Sequence, residues 1–181
     1  MNKLGCIVAG VALSLASTGS LLAGETEGET TAREGVVICG GTNFLRLGGT
    51  EIHFTNYNLR NLSSTIPIRI DRVVVFAATG AVLFDSEVNG FPAFESDRIG
   101  PSDQVLDPKQ NAQLGTDTFL PFLAEELRPL QVEFSWSASE RVLTLNVSRD
   151  RVVRQRDPLT GQQLQERARD GGACRNVSLR R

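Results

Sequence analysis

Leu130, Val132, Phe134 and Trp136 alternate with Gln131, Glu133, Ser135 and Ser137. A period of two marks a strand with one buried and one wet face. Ser137 to Glu140 reads as a short turn. Val142 to Val147 then reads as a second strand, with Leu143, Leu145 and Val147 on one face. The stretch from Leu130 to Val147 is therefore expected to be a hairpin, and it carries the chain's only tryptophan. An apolar sheet face must be covered by another apolar layer, so this pattern confines the chain to a two-layer antiparallel domain.

Further strands are expected along the chain. Val36 to Cys39 stops at Gly40-Gly41, and Phe44 to Leu47 stops at Gly48-Gly49. Thr50 to Leu59 follows, with Ile52 and Phe54 alternating against Glu51, His53 and Thr55. His53 is thereby expected on a polar surface. Thr65 to Ile70 and Val73 to Ala78 read as two strands, the first held to an edge or bulge by Pro67. Thr79-Gly80 and Ala81 to Phe84 complete a hairpin with the second. Thr118 to Leu130 has the signs of one short helix: Thr118 as cap, Pro121 in the first turn, Pro129 as stop. Asp157 to Gly161 is a Pro-Gly turn between two polar runs, 150–156 and 162–169, which predicts a long exposed hairpin arm. The expected fold is an all-β, immunoglobulin-like antiparallel sandwich with one short helix and a C-terminal β-hairpin arm.

The start of the chain has the form of a secretion signal. Lys3 is followed by an uncharged apolar run, Leu4 to Ala16, and a small-residue exit with cleavage expected after Ala23. That run is too short for a comfortable membrane span, and no later stretch approaches it. Cys6 lies inside the run, which does not suit a lipid-bearing terminal cysteine. The organisation expected is a signal over 1–23, a flexible acidic arm over 24–34 and one domain over 35–181. Export leaves Cys39 and Cys174 in an oxidising compartment, where the two are expected to pair. The expected location is periplasmic or secreted. Three Asn-x-Ser sequons, at Asn61, Asn146 and Asn176, are incidental in a bacterial exporter.

Recognisable catalytic patterns are few. His53 is the sole histidine, with no second imidazole or free thiol to join it in a metal site. Asp85, Glu87, Asn89 and Gly90 resemble the start of a calcium loop, but Ser96 stands where a bidentate carboxylate is needed, and Glu95 is one residue off. Asp97, Asp103 and Asp107 share the same long aperiodic stretch between Asp85 and Pro108. The reading is a non-catalytic binding or interaction module, with no catalytic residue, cofactor or metal ligand assigned. The alternative is a periplasmic enzyme or calcium module using the Asp85 to Asp107 region.

Charge points to the tail. From Arg149 to Arg181 there are nine arginines against four acids, while Glu25 to Ser148 has nine basic residues against seventeen acids. A basic arm on an acidic body suits an anionic surface, a polysaccharide or an acidic protein, with Arg151, Arg154, Arg156, Arg167 and Arg169 as the candidate contacts; the same arm can equally fold back on its own acidic body. The arm lacks aromatics for base stacking and the whole chain has a formal net charge of −2, so nucleic acid is not expected as a partner.

Overall fold

The computed structural model describes residues 31–94, 103–123 and 128–177. They form two facing antiparallel sheets. The first contains β1 (Thr31–Gly41), β4 (Ile68–Phe76), β5 (Val82–Asp85), β6 (Val105–Leu106), β8 (Leu130–Leu143) and β11 (Arg175–Val177). Its order is β11-β1-β8-β4-β5, with β6 paired to β4. The second contains β2 (Asn43–Arg46), β3 (Glu51–Arg60), β7 (Asn111–Gly115), β9 (Asn146–Arg156) and β10 (Gln163–Ala173). Its order is β10-β9-β3-β2, with β7 paired to β3. Two single-turn helices, α1 (Ser86–Asn89) and α2 (Thr116–Phe119), sit in the connections. Among these residues no helix is long and apolar enough to cross a membrane.

The expected Leu130–Val147 hairpin is not formed. β8 runs unbroken for 14 residues through Ser137 to Glu140. It lies centrally, with β1 on one side and β4 on the other, and β9 then crosses into the second sheet. β1 pairs on both sides of the stretch, Glu34 with Ser137 and Ala32 with Val142, and the register shifts between them, so Ala138 to Arg141 bulge out of the ladder. Small and polar residues suit that irregularity and imitate a turn: Ala138 rests on the core, while Ser139 and Glu140 are exposed. β1 begins at Thr31 rather than at Gly35. The expected signal and the arm up to residue 30 lie outside the described residues.

Other boundaries shift for local reasons. The two expected strands around Asp71 are one strand, β4, with a bulge between Ile70 and Arg72. Pro67 stands just before it, where no ladder N–H is required. The Thr79-Gly80 hairpin is present, with Gly80 at φ 83°. The helix expected after Thr118 is the single turn α2, starting at Thr116. Proline disfavours a helical residue before it, and Leu120, ahead of Pro121, is extended at φ −108°, ψ 140°. Residues 124–127 of that expected helix lie outside the described set.

The core fills the space between the sheets. Val37, Cys39, Ile70, Val73, Val132, Phe134 and Trp136 face Tyr57, Leu59, Leu114 and Val147. Tyr57 meets Phe134 edge-on across the interface, centroids 5.3 Å apart. Trp136 is 1% exposed, on the same face as Phe134 and Val132. Two glycines exist for close approach. A Cβ on Gly35 would lie 3.0 Å from the Trp136 indole nitrogen, and one on Gly41 would collide with the Tyr57 hydroxyl. Cys39 and Cys174 form a disulfide across 135 residues, S–S 2.05 Å, clipping the β10–β11 junction to β1.

Candidate functional site

β3 carries two faces of unlike chemistry. Tyr57 and Leu59 turn into the core, and residues at two-residue steps from them, Thr55, His53 and Glu51, share that side. His53 is therefore not on the surface, as the sequence suggested, but 3% exposed. Ile52 and Phe54 turn to the other side, into a small separate cluster with Val152.

His53 is engaged on both ring nitrogens. Nε2 is bonded to the Glu51 carboxylate. Nδ1 accepts from the Arg151 guanidinium at 3.0 Å. An arginine can only donate, so Nδ1 carries no proton and Nε2 bears the ring's hydrogen. The ring stacks on Phe44, centroids 4.4 Å apart at 8°. Arg128 lies over the Phe44 ring at 3.7 Å, and Arg46 stands 4.0 Å from Glu51. The Arg151 Nε is buried with no acceptor among the described residues. Burial, the largest influence, holds the His53 pKa below its ordinary 6.5, against the pull of Glu51 and with the help of Arg151 and Arg46. The hydrogen bond from His53 in turn lowers Glu51.

This arrangement makes stability depend on pH. Above pH 6.5 the imidazole is neutral folded or unfolded and contributes no pH dependence. Below it the unfolded chain takes up the proton first, because the folded pKa is depressed, so stability falls with acidification. The expected outcome is a urea midpoint that drops between pH 7 and pH 5. His53→Gln, which can accept from Arg151 and donate to Glu51 without titrating, should flatten that drop.

The five arginines of the tail do not act together. Arg151 points at His53. Arg154 points to the opposite face, bonded to Asp117 at 3.2 Å and Glu166 at 2.7 Å, with its guanidinium 4.7 Å over Phe54. Burial raises the Asp117 pKa, and Arg154 counters it. These two are engaged internally, as an arm folded back on its own body would have them. Arg156, Arg167 and Arg169 are exposed and form no ion pair among the described residues.

The expected arm is instead two strands of the sheet. β9 lies between β3 and β10, and β10 is an edge strand exposed along its length. Directly opposed residues share a face. Arg167 opposes Val153, which places it on the side of Arg151 and Arg149. Arg169 and Asp170 lie in the bulge opposite Arg151. Asp150 and Glu166 belong to the other face, where Asp150 accepts from Asn58 at 3.0 Å. At the tip, the Asp157 carboxylate accepts from the Leu159 and Thr160 N–H groups at 2.8 and 2.9 Å, which turns its charge inward. Leu159 is 94% and Leu164 64% exposed there.

The Asp85 region is structural in its described part. The Asp85 carboxylate is bonded to Arg72 and caps α1 through the Glu87 N–H at 3.1 Å. Phe91 and Phe94 meet edge-on at 5.7 Å and rest against the core. Glu95, Ser96 and Asp97 lie outside the described residues. Among the described residues no three His, Cys, Asp or Glu side chains gather to hold a metal ion. Asn61, the first sequon residue, is buried and donates to the Ile66, Leu106 and Asp107 carbonyls. The Glu51–His53–Arg151 cluster and the two tip leucines went unread in the sequence. The shared parity of His53 with Tyr57 and Leu59 is the signal that could have placed the first.

Comparison with family models, curated proteins and solved structures finds no match.

Proposed function

We propose that this chain is an exported, non-catalytic binding module whose β9–β10 hairpin docks on an anionic lipid surface. The observation that carries the reading is sidedness. Arg149, Arg151 and Arg167 share the side of the second sheet that turns toward the first; there Arg167, on the edge strand, is exposed and Arg149 and Arg151 are half-buried, and β9 and β10 bring one carboxylate, Asp170 in the bulge. The exposed Leu159 and Leu164 at the tip add apolar area of the kind that enters a headgroup layer. A non-catalytic role is supported by His53, whose ring nitrogens are both engaged. Export is supported by the charged, apolar and small-residue order of 1–23 and by the disulfide. Two facing antiparallel sheets support an immunoglobulin-like sandwich as the scaffold.

Vesicle flotation tests the reading. Wild type should float with phosphatidylglycerol vesicles and not with phosphatidylcholine, and salt should weaken the binding. Each arginine near an anionic surface contributes about 1 kcal/mol, so Arg167→Ala with Arg169→Ala should cut partitioning about thirtyfold. Arg156→Ala, on the other face, should do less. Leu159→Ser with Leu164→Ser should weaken vesicle binding but leave heparin retention unchanged. Heparin retention without vesicle binding would favour a polysaccharide instead, and equal flotation of wild type and the double arginine variant would end the proposal.

A further inference from the structure

We infer that protonation of His53 releases Arg151 to the arginine face, so that the hairpin holds anionic lipid more tightly in mild acid. This inference rests on the lipid-docking reading and names its regulation. His53 Nε2 already carries a hydrogen toward Glu51, so an added proton must go to Nδ1. Nδ1 is the atom that accepts from Arg151 at 3.0 Å. Once protonated, Nδ1 and the guanidinium are two donors and two cations with no acceptor between them. Glu51 keeps the imidazolium in place, because its carboxylate still accepts from Nε2.

Among the described residues Arg151 has no second internal anchor. Its Nε lacks an acceptor among the described residues, and the side chain is already partly exposed. It lies between Arg149 and the Arg169 bulge, so release adds a cation to the face that also carries Arg167. The charged groups around His53 are cations opposed by a single carboxylate among the described residues. Arg46 on β2, Arg151 on β9 and the nearby Arg128, over the Phe44 ring, are cations; Glu51 is the one carboxylate in contact. His53 is the chain's only histidine, so a transition between pH 7.5 and 5.5 has one principal candidate. Asp117, raised by burial, lies beside Arg154 on the opposite face and is retained in the control variant.

The test is flotation with phosphatidylglycerol vesicles at pH 7.5 and 5.5 at constant ionic strength. One cation more at the surface should raise wild-type affinity about fivefold in acid, while His53→Gln stays within about twofold. A companion measurement needs no variant. In NMR, the imidazole and Arg151 Nε resonances of the wild type should titrate with one midpoint. Binding at pH 7.5 that requires Arg167 and Arg169 but rises equally in wild type and His53→Gln would overturn the gate and leave lipid docking standing. An Arg151 resonance that ignores the imidazole titration would overturn it too. No flotation at either pH would overturn both.

Discussion

Replacing Cys39 and Cys174 together by alanine should lower the unfolding free energy by about 4–5 kcal/mol. The bridge closes 135 residues, close to the whole described domain, and in the chain-entropy account the denatured ensemble loses more freedom the longer the loop. The folded state loses a local clamp as well. Cys174 sits between the exposed edge strand β10 and β11, which is three residues long and pairs with β1. Once the bridge is cut, what holds β11 among the described residues is its pairing with Val36, Val37 and Ile38 and the Cys174 N–H bond to the Val147 carbonyl at 2.9 Å. Urea unfolding with and without reductant, alongside the double variant, measures the effect. A loss under about 1 kcal/mol would show that the bridge closes a loop already constrained in the unfolded chain.

Trp136→Ala should cost about 3–5 kcal/mol. The indole is packed on the middle strand of the first sheet, between Gly35 of β1 and Ile70 of β4. Gly35 leaves room for the ring and cannot fill the space when the ring is gone, so the cavity should persist. The indole nitrogen has no acceptor among the described residues, so the cost reflects lost packing and not a lost hydrogen bond. Gly35→Ala gives the converse test, since its new methyl would press on the indole at 3.0 Å. Blue-shifted native tryptophan emission should accompany the measurement. Emission typical of water-exposed indole would contradict the packing.

The strands were legible in the sequence where one face alone is wet. Leu130 to Trp136, the Thr79-Gly80 hairpin and the Asp157 turn all follow from alternation and turn chemistry. The pairing of Cys39 with Cys174 was legible once Cys6 was set apart with the N-terminal apolar run. The misreadings share a cause: alternation gives two faces but does not say what covers each. Ile52 and Phe54 looked like the core side of β3, yet they meet Val152 and the Arg154 guanidinium outside the sandwich. His53 looked exposed, yet its side holds Tyr57 and Leu59. Ser137 to Glu140 looked like a turn because small and polar residues also suit the irregularity at which β8 leaves the β1 register. The five tail arginines looked alike because charge content carries no register; alternation along β9 sets Arg151 apart from Arg154 and Arg156, and the bulges near Leu164 and Arg169 set the sides on β10.

The lipid-docking claim is tested most directly by reporting from the hairpin tip itself. Leu159→Trp places a second indole where the side chain is 94% exposed, so the fold is left undisturbed. Trp136 stays buried and serves as a constant background. Adding phosphatidylglycerol vesicles should move the new emission to the blue and shield it from an aqueous quencher, while phosphatidylcholine vesicles should do neither. An indole at position 159 that stays red-emitting and fully quenched on anionic vesicles would contradict the account.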